Sequence, residues 1–191
     1  MTTKPLKKGA TYDDLCEVPD HFVAEMFDGD LYASPRPALP HANAAGSLFA
    51  EIHRSFHRKG PSGWVILFAP ELHFGSDVLV PDLAGWRRTR LPNVPAEAYL
   101  TLAPDWICEV ISPSTGRLDR IKKLPLYARE GVVHAWIVDP VQRSLEVYRN
   151  ESGLKLVSTH ADDDKVRAEP FDALELDLSL LWADVKLDEP R

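Results

Sequence analysis

The sequence predicts an α/β protein in which helices flank a mixed β-sheet (α+β). Strand-like and helical patterns alternate along the chain in the order α-β-β-α-β-β-β-α-β-β. Residues 106–111 form a nearly continuous apolar run, which is typical of a central strand covered on both faces. Residues 41–57 instead repeat apolar side chains at helical spacing.

Length and composition are typical of one globular domain. The chain has 191 residues, of which 45% are hydrophobic and 27% charged. No repeat or long linker divides it, so we expect a single domain over residues 1–191 with its core at about 11–183. No apolar run could span a membrane, and residues 1–8 lack the apolar centre of a signal peptide. With two isolated cysteines and no C-x-x-C pair, we expect a cytoplasmic location.

Local signals mark the first elements. Thr11 is suited to cap a short helix, because its side-chain oxygen can accept a free amide hydrogen of the first turn. Asp28 and Gly29 separate two strand-like runs and predict a tight hairpin, since glycine supplies the positive φ that the turn requires. Pro40 precedes the amphipathic helix of residues 41–57.

The middle of the chain predicts a hairpin and then the central strand. Residues 64–74 and 78–86 form its two strands, and Asp82 falls near the far end of the second. Residues 91–101 predict a loop with a short helix, and the strand at 106–111 follows.

The C-terminal part predicts one interrupted helix followed by strands. Ser112 and Thr115 can cap a helix that Pro125 must break or kink, since proline lacks an amide hydrogen. Strands are predicted at residues 132–139 and 144–149, and residues 174–181 predict a strand with a short helical turn.

Two acids and a following lysine-bearing segment carry the chemical signal. Asp82 follows a proline at a strand, and Glu109 lies inside the apolar central strand. A buried carboxylate costs several kcal/mol without a partner, so Glu109 requires an explanation. Paired acids hold a hard cation such as Mg²⁺, and a lysine steadies negative charge at phosphate. The pattern therefore predicts a metal-dependent phosphodiesterase.

The net charge of −7 argues against a constitutive nucleic-acid binder, which is usually basic. It does not exclude a metal-dependent nuclease, because bound cations offset acids locally. Basic residues do follow each acid, at Arg87, Arg88 and Arg90, and at Arg117, Arg120, Lys122 and Lys123. From charge alone a solvated face is the better interpretation, and Arg87, Arg88, Arg117 and Arg120 are weak candidates for phosphate contacts.

Seven groups of residues recur in an order that resembles a known family. They are 25–31 (EMFDGDL), 40–41 (PH), 80–82 (VPD), 109–115 (EVISPST), Asp119 with Lys123 and Tyr127, 131–132 (GV), and 136–140 (WIVDP). Together they resemble the Uma-two family, bacterial restriction-endonuclease-like proteins of the PD-(D/E)XK nuclease superfamily. The resemblance covers residues 11–182. It implies a restriction-endonuclease-like fold and Mg²⁺- or Mn²⁺-dependent cleavage of DNA.

The resemblance also implies which residues form the site. Asp82 and Glu109 match the metal-binding acids, and the backbone carbonyl of Val110 would be a further ligand. The superfamily usually places its lysine two residues after the second acid, where this chain has Ile111. Lys123 on the following helix matches the relocated lysine. Nucleases that cut both strands often pair, so a homodimer is expected.

Several alternatives stay open at this stage. Asp82 could cap a turn, Glu109 could form a buried salt bridge to an arginine, and Lys123 could pair with Asp119 one helical turn away. Glu25 and His41 are second-tier candidates. Serine catalysis is disfavoured, because no Gly-x-Ser-x-Gly elbow is present. A catalytically inactive descendant that binds nucleic acid or a protein partner is the main alternative function.

Overall fold

In a computed structural model of the chain, the structure describes residues 4–58, 60, 62–112, 115–183 and 185–186. It is a mixed α/β fold, which confirms the predicted class. The strands are β1 Lys7–Lys8, β2 Phe22–Phe27, β3 Asp30–Pro35, β4 Trp64–Phe68, β5 Glu71–Phe74, β6 Asp77–Leu79, β7 Leu83–Arg87, β8 Tyr99–Leu100, β9 Trp106–Val110, β10 His134–Asp139, β11 Ser144–Asn150, β12 Leu154–Ala161, β13 Lys165–Val166 and β14 Leu176–Asp177. The helices are α1 Tyr12–Cys16, α2 Leu39–Phe56, α3 Gly116–Leu118, a π turn Asp119–Lys123, α4 Leu124–Arg129 and a 3₁₀ turn Leu178–Leu181.

The described strands form two six-stranded sheets and a two-stranded one, where the sequence predicted one mixed sheet. The first sheet has the order β1-β3-β2-β6-β5-β8, and the second has the order β12-β11-β10-β9-β7-β4. Strand β9 lies inside the second sheet, parallel to β10 and antiparallel to β7. All five of its residues are buried, as the apolar run predicted.

Side chains along β9 point alternately to the two faces of the sheet, so neighbouring residues pack in different apolar clusters. Trp106 and Cys108 pack with Leu48 of α2 in one apolar cluster. Ile107 packs with Tyr127 of α4 in another cluster on the opposite face. Because side chains of a strand alternate with a period of two, the side chain of Glu109 shares the face of Ile107.

Two predicted strands are each divided between the sheets. Residues 64–74 change sheets at Ala69, which has a φ of 45°, and residues 78–86 change sheets at 80–82. The crossings lie together, since the amide of Ala69 donates to the carbonyl of Asp82 at 2.8 Å. The sequence prediction for Asp82 was therefore wrong in position: Asp82 precedes β7 at a crossing instead of ending a strand.

The helical region, which was predicted to break or kink at Pro125, does not end there but departs from regular α-helix just before it. Its middle turn is a π turn, in which the amide of Leu124 donates to the carbonyl of Asp119 five residues back. Pro125 lies at the start of α4, where a missing amide hydrogen is tolerated. Both Asp119 and Lys123, at the two ends of the π turn, are buried.

The other local predictions have mixed outcomes. The hairpin at Asp28 and Gly29 is confirmed, with φ values of 55° and 75°. Thr11 caps α1 as predicted, and α2 matches the amphipathic helix. The helix predicted within residues 91–101 does not form, and β12 was not predicted. Part of the predicted cap at 112–115 lies outside the described residues. Among the described helices, none is long and apolar enough to cross a membrane.

Candidate functional site

A cavity of about 350 Å³ gathers the acids and the lysine that the sequence singled out. Strand β2, the loop before α2, the crossing at 80–82, the end of β9 and the π turn all contribute to its wall. We call it the acidic cavity, and its charged or titratable lining residues are Glu25, Arg36, His41, Asp82, Glu109, Asp119 and Lys123. Val110 lines it as well. The predicted metal ligands, the predicted lysine and the two second-tier candidates, Glu25 and His41, therefore all lie in one cavity.

Lys123 is the buried centre of this cluster. Its Nζ lies 2.8 Å from Glu25 Oε1 and 2.8 Å from Glu109 Oε1, and its side chain is only 3% exposed. The contact with Asp119 is longer, at 3.8 Å. A simple pair along the helix is therefore the weakest of the three contacts. The lysine from the helix reaches the acid of the central strand.

Glu109 accepts a second hydrogen bond from a buried tyrosine. The Tyr127 hydroxyl donates to Glu109 Oε1 at 2.7 Å. Burial raises the pKa of Glu109 well above its usual value, and although Lys123 opposes this effect, the neighbouring acids reinforce it. Sequence reasoning missed Tyr127 as a site residue. Its spacing of four residues from Lys123 was the available signal, since such residues share a helix face.

Asp82 is the more accessible of the two predicted metal-binding acids. Its Oδ2 accepts the amide hydrogen of Val110 at 2.7 Å and lies 3.2 Å from His41 Nε2. Its side chain is 20% exposed, against 4% for Glu109. Glu25 also points inward, because its Oε1 accepts the amide hydrogen of Val80 at 2.8 Å. The crossing at 80–82 thus ties two acids to the cavity wall.

Carboxylates outnumber cations around the buried lysine. Burial raises the pKa of Asp119 to about 6, and the charge of Glu25 adds to that effect, while Lys123 opposes it. Burial alone would lower the pKa of Lys123, but the charges of Glu109 and Glu25 outweigh it and raise that pKa well above the usual value. The cluster therefore favours a charged lysine and attracts a further cation or proton.

The donor atoms suit a hard divalent cation. Among the described residues, Asp82 Oδ1 and Glu109 Oε2 accept no hydrogen bond, while the other oxygen of each carboxylate does. No group of three or more His, Cys, Asp or Glu in the described chain is arranged to hold a metal ion by itself. Two carboxylates and a backbone carbonyl are nevertheless the type of oxygen donor that Mg²⁺ takes, since this ion usually keeps several waters and binds one or two carboxylates.

The four arginines named as weak phosphate contacts do not line the acidic cavity. The guanidinium of Arg87 lies 4.1 Å from the ring centroid of Trp64. Arg88 donates to the carbonyl of Arg58 at 2.9 Å, and Arg120 pairs with Glu146 at 2.6 Å. Arg117 is exposed on α3. The arginine that does line the cavity is Arg36, which composition and spacing did not single out.

Comparisons with known proteins agree with this fold. The family model Uma2, described as "Putative restriction endonuclease", matches residues 10–180. A similar solved structure is a "putative nuclease belonging to DUF820" from Anabaena variabilis ATCC 29413, with a TM-score of 0.69. That protein is 20% identical, and the alignment covers 91% of this chain and 97% of the other. No curated protein matches the chain. These findings confirm the resemblance and the restriction-endonuclease-like fold: the chain belongs to the Uma2 (Uma-two) family.

Proposed function

We propose that the protein is an endonuclease that hydrolyses DNA phosphodiester bonds at the acidic cavity with the help of Mg²⁺ or Mn²⁺. The contact between Lys123 and Glu109, at 2.8 Å within the same cavity as Asp82, carries the proposal. It restores the acid–acid–lysine set of a nuclease although Ile111 occupies the usual lysine position. Membership of the family supports it further.

Each residue has a defined part in this proposal. Asp82, Glu109 and the Val110 carbonyl would hold the cation, which, when bound, would supply an acidified water and neutralise phosphate charge. The Val110 amide and His41 fix one oxygen of Asp82, so its other oxygen is presented for binding. Lys123 and Tyr127 fix Glu109 in the same way. The charge of Lys123 stabilises negative charge that develops at the phosphate.

The burial of the cluster explains why it keeps this arrangement. If Lys123 moved away, Glu25 and Glu109 would remain buried without a cation, which is costly. The positions of the acids are therefore set before substrate arrives. Such preorganised charge is more effective than charge that must reorient during the reaction.

Cleavage assays test the proposal. Supercoiled plasmid and single-stranded DNA are incubated with the protein in Mg²⁺, Mn²⁺ or EDTA. We expect cutting that depends on the cation and stops in EDTA. Absence of cutting on both substrates in both cations would contradict the proposal.

A catalytically inactive nuclease-fold protein that binds nucleic acid or a protein partner is the second candidate. Two observations favour it: Ile111 at the usual lysine position and the net charge of −7. Calorimetric titration with Mn²⁺ separates the two candidates. The endonuclease requires Mn²⁺ binding that Asp82→Ala abolishes, whereas an inactive descendant requires no such site.

A further inference from the structure

One wall of the acidic cavity carries no acid. The segment from Ser34 to Ala38 lines the cavity together with Asp82 and Glu109, and it leads directly into α2. Pro35 and Pro37 restrict this backbone, because each proline fixes φ. The segment that forms this wall is therefore conformationally restricted before any ligand binds.

Arg36 lies between those two prolines and supplies the positive charge of the wall. Apart from Lys123, it is the only lysine or arginine among the described residues that line the cavity. Its Nη2 donates to the carbonyl of Asp20 at 2.8 Å, and no carboxylate of the described chain pairs with it. A guanidinium has five donors, so its charge and most of its hydrogen-bonding capacity are available to a ligand.

The beginning of α2 adds a second positive feature at the same wall. This helix has 18 residues, no side-chain cap at Ala38 and no acid in its first turn. Pro40 in this turn has no amide hydrogen, so the backbone amides of Leu39 and His41 are the first-turn donors open to an anion, and the helix dipole favours one there. His41, in the same turn, is 8% exposed and lines the cavity, and its Nδ1 is buried without a partner in the described structure.

We propose that Arg36 and the first turn of α2 bind a backbone phosphate of the nucleic-acid strand, next to the phosphate presented to Asp82 and Glu109. This inference rests on the proposed function. The acids of the cavity repel a polyanion, and the single charge of Lys123, which pairs with both Glu25 and Glu109, offsets only part of this repulsion. Arg36, which pairs with no carboxylate of the described chain, and the N-terminus of α2 line the same cavity and supply the attraction that the strand needs.

DNA binding without cleavage tests this assignment. A fluorescent single-stranded oligonucleotide is titrated by anisotropy in EDTA and again with Ca²⁺, at several salt concentrations between about 50 and 200 mM. We expect Arg36→Ala to weaken binding about fivefold to tenfold and to reduce the salt slope by about 0.7, the value for one lost phosphate contact on a single strand. Arg36→Lys keeps the charge and should keep the slope.

Arg167→Ala is the matched control, because Arg167 is exposed and does not line the cavity. It should leave affinity and slope unchanged. An unchanged slope in Arg36→Ala, an equal loss in Arg167→Ala, or no binding by the wild type in either buffer would overturn the assignment. This experiment measures binding and not cleavage, so it is independent of the endonuclease proposal. If Arg36→Ala shows the reduced salt slope but the wild type never cuts DNA, the phosphate site is upheld and the proposed endonuclease is contradicted.

A second variant tests the helix end without removing a charge. Ala38→Asp would cap α2 and fill the anion position with a carboxylate, so it should raise the melting temperature and weaken DNA binding about fivefold. Ala38→Ser caps without charge and should raise the melting temperature with little loss of binding. Equal DNA affinity in Ala38→Asp and Ala38→Ser would exclude the helix end from the site.

Discussion

Lys123 Nζ lies 2.8 Å from Glu109 Oε1, although Lys123 belongs to a π turn and Glu109 to a central strand. The π turn places the lysine across the end of β9, on the face that Ile111 also occupies two residues after Glu109. Ile111 therefore occupies the usual lysine position, and Lys123 of the π turn supplies the positive charge instead. π turns inside helices are frequent at functional sites.

Removal of the lysine charge should destabilise the fold at neutral pH. Lys123→Met leaves Glu25 and Glu109 buried without their cation, so the free energy of unfolding should fall by about 3–5 kcal/mol. Urea unfolding measures the change. Adding Glu109→Gln to Lys123→Met should recover part of the loss, because one unpaired buried charge is then removed. A loss below about 1 kcal/mol in the single variant would contradict the buried network.

Tyr127→Phe should loosen Glu109 without changing any charge. The missing hydroxyl leaves Glu109 Oε1 with one donor fewer, which should lower the free energy of unfolding by about 1–3 kcal/mol. DNA cleavage should fall about tenfold as the acid loses a fixed orientation. Tyr148→Phe is the control, since Tyr148 donates to Glu146 away from the acidic cavity. Equal cleavage by Tyr127→Phe and wild type would show that the hydroxyl has no part in activity.

Asp119 should make stability depend on pH in a predictable direction. Burial raises its pKa from the ordinary 3.8 to about 6, so the folded state binds this proton more tightly than the unfolded state. Between these two values, the Asp119 contribution to stability rises as pH falls, and above pH 6 the ionised group destabilises the fold.

The variant Asp119→Asn checks this sign. It should be more stable than the wild type by about 1–3 kcal/mol near pH 8, with the gap closing as pH falls towards 4. Urea unfolding in EDTA at both ends of this range measures the gap. A gap that stays constant with pH would show that Asp119 does not titrate as its burial requires.

Sequence patterns predicted the parts of the fold that depend on local chemistry. The Asp28–Gly29 hairpin, α2 and the buried β9 follow from turn residues and periodicity. The crossings at Ala69 and 80–82 were missed, because strand-like sequence continues on both sides of each change of sheet. Ala69 adopts a positive φ without the glycine that usually marks such a position.

The sequence singled out the acids of the candidate site but not the residues that surround them. Asp82 and Glu109 stood out because a carboxylate at or inside an apolar strand needs a reason, and the resemblance supplied Lys123. Tyr127 belonged to the groups that carry the resemblance but was given no role, and Arg36 was not singled out at all. Their importance comes from which elements the two sheets bring together, and only tertiary structure shows that Arg36 lines the same cavity as the acids while Arg120 pairs with Glu146.

Single-turnover cleavage of DNA in Mn²⁺ by folded Asp82→Asn and Glu109→Gln tests the central claim most directly. Asp172→Asn, at an exposed position outside the acidic cavity, is the control for loss of a carboxylate. We predict that both cavity variants lose at least about a hundredfold in rate while remaining folded at the assay temperature, and that Asp172→Asn cuts normally. Wild-type cleavage rates in both cavity variants would contradict the assignment of Asp82 and Glu109.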